Sequence, residues 1–166
     1  FLRINRLLVE REHARRHRIE SEQRYRTLAD SGQALIWGAD TDTGRTYFNK
    51  VWLEFTGRTL EQEEGFGWAE GVHPEDYQRC VEIYEKAFDE RRRFSMDYRL
   101  RRHDGEYRWI QDDGCPRFDS EGHFIGYIGF CLDITERKTA IAALQESELL
   151  FRKLFEDISS VAVQGY

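Results

Sequence analysis

Between Phe94 and Leu132 the chain alternates apolar and polar residues, turns, and alternates again, and this pattern leaves few folds open. Phe94, Met96, Tyr98 and Leu100 point one way while Ser95, Asp97, Arg99 and Arg101 point the other, the period of two of a half-buried strand. His103-Asp104-Gly105-Glu106 supplies an Asp-Gly hairpin turn. Tyr107 to Phe118 reads as the next strand, Asp119-Ser120-Glu121-Gly122 as the next turn, and His123 to Leu132 as the last strand. Three antiparallel strands in sequence are therefore expected.

The preceding residues read as further strands and as helices. Ala34-Leu35-Ile36-Trp37 is a short apolar run ending at Asp40-Thr41-Asp42-Thr43-Gly44, a strong turn signal, and Arg45 to Asn49 follows as a second strand. Val51 to Gly57 predicts a short helix closed by a glycine, and a Gly-rich irregular stretch runs on to Gly71. His73-Pro74-Glu75-Asp76 then opens a helix, with proline in its first turn and acids at the positive end of its dipole. Val81, Tyr84, Ala87 and Phe88 form its buried face. The class is α+β.

The two ends read as long helices. Residues 1–30 are Arg- and Glu-rich with a poor apolar stripe, so this helix needs a partner or charge pairs. Its excess of Arg also suits a stretch just inside a membrane. Asp133-Ile134-Thr135-Glu136 has the spacing of a capping box. Ile134, Ile141, Leu144, Phe151, Phe155 and Ile158 then form a seam for a partner helix in a parallel coiled coil; folding back onto the chain's own sheet is the alternative. Ser21, Glu22, Arg26 and Leu28 recur as Ser147, Glu148, Arg152 and Leu154, at an offset of 126 (148 − 22). A strand-like stretch follows each copy, the second being Ser160-Val161-Ala162-Val163. This pattern suits a tandem array whose second unit is truncated. Met96 is the sole methionine, which fits a fragment.

Composition narrows function by exclusion. A net charge of −6 disfavours a phosphate backbone as partner, and Arg91-Arg92-Arg93 and Arg99 to Arg102 read as solvated surface. No run approaches the ~18 apolar residues of a membrane span, and no signal peptide is visible. Cys80, Cys115 and Cys131, odd in number and widely spaced, give neither a disulfide framework nor a zinc site and suit a reducing, cytoplasmic setting. His73 sits beside a helix-opening proline and reads as a cap, while His103 and His123 lie in or beside turns. Asp112 and Asp113 face opposite sides of a strand and cannot act as a carboxylate pair. No metal site follows, and no Walker loop, dinucleotide fingerprint or nucleophile elbow appears, so the fragment reads as no enzyme. The aromatics remain. They suit either a filled core or a ligand pocket, and a pocket would be lined by Trp37, Phe48, Trp52, Tyr84, Tyr98 and Trp109.

Six motifs, in order, carry a family resemblance: Phe48-Asn49-Lys50, Phe55-Thr56-Gly57, Val72-His73-Pro74-Glu75-Asp76, Tyr98-Arg99-Leu100, Asp104-Gly105-Glu106-Tyr107-Arg108-Trp109 and Asp133-Ile134-Thr135-Glu136-Arg137-Lys138. Over about residues 22–140 the chain resembles PAS domains of the PAS-3 type with their PAC motif, as found in bacterial-type sensory proteins such as sensor histidine kinases. The resemblance implies a five-stranded antiparallel sheet with short helices over one face and flanking signalling helices. It implies these divisions: 1–30, linker helix; 31–133, PAS domain with its PAC half at about 94–138; 134–157, linker helix; 158–166, the start of a second repeat. It further implies a sensory module that relays a signal or small ligand through Asp133, Ile134 and Thr135 to an output domain in the same chain. That output would be a histidine kinase or, second, a diguanylate cyclase. The alternative is a ligand-free dimerisation and spacing module in a tandem array. Homodimers through the flanking helices are expected, in a cytoplasmic domain whose parent a membrane could tether. Thr59 to Gly71 lacks the cysteine that flavin-binding relatives carry there, which argues against covalent flavin. His73, the nearest histidine for haem, reads as a cap, so no cofactor is assigned.

Overall fold

The alternating segments pair into one antiparallel sheet that turns one row of side chains into the core. A computed structural model describes residues 2–42 and 44–163, with side chains over 4–42 and 44–158. In chain order the elements are α1 (Leu2–Ser31), β1 (Leu35–Ala39), β2 (Arg45–Phe48), α2 (Lys50–Thr56), α3 (Leu60–Glu63), a 3₁₀ turn (Gly67–Gly71), α4 (Pro74–Glu90), β3 (Phe94–Arg101), β4 (Tyr107–Phe118), β5 (Phe124–Asp133) and α5 (Thr135–Val163). The five-stranded sheet has the order β2-β1-β5-β4-β3, so the last strand lies in the middle. The expected α+β architecture is present.

Helices α2 to α4 cover one face of this sheet, and the core lies between. Met96, Tyr98 and Leu100 of β3 are buried there as their alternation predicts. Trp37 packs where its β5 neighbour is Gly129: a Cβ on Gly129 would lie 1.9 Å from the indole, so the bare backbone makes room for the ring. Asp76, Cys80, Tyr84, Ala87 and Phe88 form the buried side of α4, with Val81 at its margin. Tyr127 donates to the carbonyls of Ala87 (2.5 Å) and Arg92 (2.7 Å), closing the C-terminal end of α4 against the sheet.

Three expectations need correction. The stretch before Gly71 is not irregular throughout, since α3 and the 3₁₀ turn order it around Arg58 and Glu63. Asp133 does not form a reciprocal capping box with Glu136. Asp133 is still the last residue of β5, and its carboxylate accepts instead from the Thr135 amide (2.9 Å) and from Arg108 Nε (2.8 Å). Residues 160–163, expected as a strand, are the end of α5. A strand needs a sheet to pair its backbone groups, whereas a helix pairs them internally; residues 164–166 of the expected repeat lie outside the described residues.

The acid pairs at the start of α4 set an acid limit on stability. Arg99 donates to Asp76 through Nε (2.8 Å) and Nη2 (3.0 Å). These bonds hold the Asp76 carboxyl down from its ordinary 3.8 to about 2. Because the folded-state value is depressed, the stabilisation is complete above 3.8 and disappears as pH falls through about 2. Thermal unfolding followed across that window should show an Asp76→Asn chain losing less stability with acidification than the wild type. Parallel curves would remove Asp76 from the acid limb.

Candidate functional site

Six aromatic positions were expected along a pocket, and the structure brings five of them together. Trp37, Trp52, Tyr84 and Tyr98 are fully buried (0 % exposed) and Phe48 nearly so (4 %). Trp109 is not among them. Ile110, Asp112 and Gly114 are the buried positions of β4, so odd-numbered Trp109 falls on the sheet's other face and is half-buried there.

At the centre of the buried group lies a charge pair that the sequence reading did not single out. Arg45 and Asp112 are both 0 % exposed, and Arg45 Nη2 donates to Asp112 Oδ2 at 3.1 Å. Trp37 Nε1 donates to the other carboxylate oxygen (2.9 Å), and Tyr98 OH lies 3.3 Å from Oδ2. The guanidinium carbon stands 3.7 Å from the centre of the Trp37 ring and 3.8 Å from that of Trp68, contacts in which each π face attracts the cation. Among the described residues, Arg45 Nε and Nη1 and Trp68 Nε1 have no hydrogen-bond partner. The guanidinium thus occupies the middle of the aromatic group. One signal was legible: Arg45 and Asp112 each occupy the inward phase of a strand, where an unpaired charge is untenable.

A second buried carboxylate organises the helical layer. Trp52 Nε1 donates to Glu63 Oε2 at 2.7 Å, and Arg58 Nε pairs with Oε1. Arg58 Nη2 also donates to the carbonyls of Gln62 and Gly67, so one guanidinium ties α3 to the 3₁₀ turn.

The flanking helices are rooted at opposite ends of the chain by side chains from the family motifs. Asn49, 1 % exposed, donates through Nδ2 to the carbonyls of Ala29 (2.8 Å) and Ala34 (3.0 Å). Its Oδ1 accepts from the amides of Ile36 (2.9 Å) and Trp52 (3.0 Å), so one amide group joins α1, β1 and the start of α2. At the other end the Ile134 amide donates to the Trp109 carbonyl and the Trp109 amide to Thr135 Oγ1, each at 2.8 Å. Lys138 Nζ stands 4.7 Å from the Trp109 ring and pairs with Asp97 at 3.0 Å. Arg99 lies 5.3 Å from the same ring while holding Asp76. Trp109 therefore sits between the start of α4 and the first turn of α5. Asp133, Ile134 and Thr135, expected as the relay, all lie in this cluster.

The remaining candidates fall where their neighbours put them. His73 is the α4 cap, its Nδ1 accepting from the Glu75 amide (3.2 Å). His103 is exposed beside its hairpin turn. Asp119, Glu121 and His123 cluster at the exposed β4–β5 turn, where Asp119 accepts from the amides of Glu121 and His123. Asp112 is buried and Asp113 exposed, opposite faces as their spacing requires. Burial pushes the Cys80 thiol up to about 11 and that of Cys131 well above the usual range, which keeps both protonated and unreactive. No helix among the described residues is long and apolar enough to cross a membrane.

Comparison with known proteins gives the same picture. Residues 45–131 match a family model described as "PAS fold". An uncharacterized protein, y4lL, of Sinorhizobium fredii is 42% identical over 134 residues, covering 81% of this chain and 16% of its own length. The peroxide stress-activated histidine kinase mak1 of Schizosaccharomyces pombe is 30% identical, covering 86% of this chain and 9% of its own length. The chain thus spans under a fifth of either relative. A solved structure of a sensory box histidine kinase/response regulator from Burkholderia thailandensis superposes with a TM-score of 0.57 at 27% identity, covering 76% of this chain and 97% of that one.

Proposed function

The chain belongs to the PAS fold family, and from that premise we propose that it is a sensory or regulatory module that passes a change in its core packing through α5 to an output domain. The root of α5 carries this reading. The helix leaves the central strand of the sheet and is held at Asp133, Ile134 and Thr135 by directed hydrogen bonds to β4. Among the described residues, its hydrogen bonds and ion pairs to the sheet lie between Asp133 and Lys138. Beyond that turn Ile141, Leu144, Phe151, Phe155 and Ile158 are 49 to 68 % exposed, a stripe that suits a partner helix. A histidine kinase is the output that mak1 and the Burkholderia protein support, and a homodimer through α1 and α5 is the assembly the exposed stripe supports. A small ligand would act here by displacing Arg45 from between Trp37 and Trp68.

Coupling between sites is typically ~1 to 3 kcal/mol, so a cap bond of about 1 kcal/mol is a large part of it. In the signalling protein that carries this domain, Asp133→Ala or Thr135→Val should abolish most regulation of the output while the sheet stays folded by circular dichroism. Unchanged regulation in both variants would discard the relay.

The Arg45 guanidinium seated between Trp37 and Trp68 favours a second reading, a ligand-free dimerisation and spacing module. Native mass spectrometry separates the two. A bound small molecule supports sensing, whereas apo dimers whose association depends on Phe151 and Phe155 support spacing.

A further inference from the structure

The buried guanidinium of Arg45 is held by contacts that any planar cation of its shape could make. Its central carbon stands 3.7 Å from the centre of the Trp37 ring and 3.8 Å from that of Trp68. Optimal carbon contact lies at about 3.5 to 4.0 Å, so the slot between the indoles is one flat layer deep. At its rim Nη2 meets Asp112 Oδ2 at 3.1 Å. These contacts use the guanidinium and neither the stem nor the backbone of Arg45. The fit is also incomplete. Among the described residues, Arg45 Nε and Nη1 and Trp68 Nε1 are buried donors without an acceptor, an arrangement that costs stability.

The two charges are fixed very differently. Asp112 lies inside β4, paired with Met96 of β3 on one side and Cys131 of β5 on the other, and Trp37 Nε1 also holds its carboxylate. Arg45 is the first residue of β2, a four-residue strand at the edge of the sheet. Its β1 partner is Ala39, and the register between the two strands slips just there, between Gly38 and Ala39. On its outer side the Arg45 backbone exchanges two bonds with Gly65, at 2.8 and 3.2 Å. The short end of an edge strand opens at lower free energy than a position inside a sheet. Arg45 is therefore the member that can leave, and Asp112 the member that stays.

We propose that the slot between Trp37 and Trp68 is a binding site for a small planar nitrogen cation, of the guanidinium or amidinium class, and that Arg45 is its resident competitor. The assignment rests on the sensory reading above and names the chemistry to which the domain responds. Charge decides the class. A neutral or anionic molecule in place of Arg45 would strand Asp112 as an unpaired buried carboxylate. An alkylammonium carries the charge but is not flat and lacks the fork that matches a carboxylate. A planar cation restores the ion pair and both ring contacts. One that bears a carbonyl or ring nitrogen beside the charge also gives Trp68 Nε1 the acceptor it lacks. Because Arg45 is tethered, its effective concentration at the slot is on the order of millimolar, which the free ligand must overcome. Its departure would release the bond by which β2 is tied to β4.

Ethylguanidinium carries the atoms that Arg45→Ala removes, and it tests the site. Ethylammonium and ethylurea serve as the non-planar cation and the planar neutral control. In calorimetric titrations the Arg45→Ala chain should bind ethylguanidinium about tenfold or more tightly than either control, and about tenfold or more tightly than wild type does, since the competitor is gone. Adding Asp112→Asn should lose about tenfold of that affinity. Should Arg45→Ala fail to fold alone, thermal unfolding gives the same readout: ethylguanidinium should restore a cooperative transition and the controls should not. Phenylguanidinium, whose ring adds stacking on the indoles, should saturate wild type as well. Equal binding of ethylguanidinium to wild type and Arg45→Ala, or indifference to Asp112→Asn, would put the cation elsewhere and overturn the proposal. So would wild type that phenylguanidinium never saturates, because Arg45 would then be a permanent part of the core. A neutral or anionic molecule carried by wild type in native mass spectrometry would overturn the cation class while leaving the sensory reading intact.

Discussion

An Asp112→Ala chain is expected to lose about 3 to 5 kcal/mol of folding stability, the cost of leaving one member of a buried ion pair without the other. Arg45 would keep its place between Trp37 and Trp68 but lose its counter-ion, and Trp37 Nε1 and Tyr98 OH would lose their acceptor. Domains of this size are stable by roughly 5 to 15 kcal/mol, so urea unfolding should show a midpoint shift that is a large fraction of the total. Asp112→Asn, which keeps an acceptor for Trp37 but not the charge, should fall between alanine and wild type. A loss below about 1 kcal/mol for the alanine chain would mean that Arg45 escapes to water, and that the buried pair is not what ties β2 to β4 across the inner face of the sheet.

Gly126→Ala should cost about 2 to 6 kcal/mol by a different route, combining backbone strain of about 1 to 3 kcal/mol with overpacking of similar size. Gly126 has φ 126, a region open essentially to glycine, and a Cβ there would stand 2.0 Å from the Ala39 carbonyl oxygen. That neighbour is backbone and cannot swing aside, so β1 and β5 must part at the Ala39–Tyr127 end of their register. Hydrogen exchange should show β1 opening first while β3 and β4 remain protected. Uniform loss of protection across the sheet would place the damage elsewhere.

The sheet was legible where alternation and turn chemistry agreed. β3, β4 and β5 have clean phases and Gly at the turns, so their bounds follow within a residue or two. The pocket residues were less so, because they were chosen for being aromatic rather than for strand phase. The phase of β4 that buries Ile110 and Asp112 places Trp109 on the far side, where it packs with Lys138 and Arg99 instead. Arg45 and Asp112 were hidden by the converse habit: a charge in a strand reads as surface until its partner, 67 residues away, is brought beside it by the fold. Residues 160–163 show the limit of local propensity. A β-branched pair reads as a strand, but with no sheet to join it continues the helix. His73 and Asn49 were within reach of sequence, since capping is a local relation; the four bonds of Asn49 join segments that only the fold assembles.

The central place of β5 also governs when the protein can fold as it is made. β1 can pair early with β2, but its other edge waits for β5, where Ala39 meets Tyr127, 88 residues later (127 − 39). At the usual pace of synthesis the first hairpin therefore spends roughly 4 to 18 s with one edge bare before its partner leaves the ribosome. During that interval Trp37 and Phe48 have no sheet beneath them, and the nascent chain carries an unpaired edge of the kind that recruits strangers.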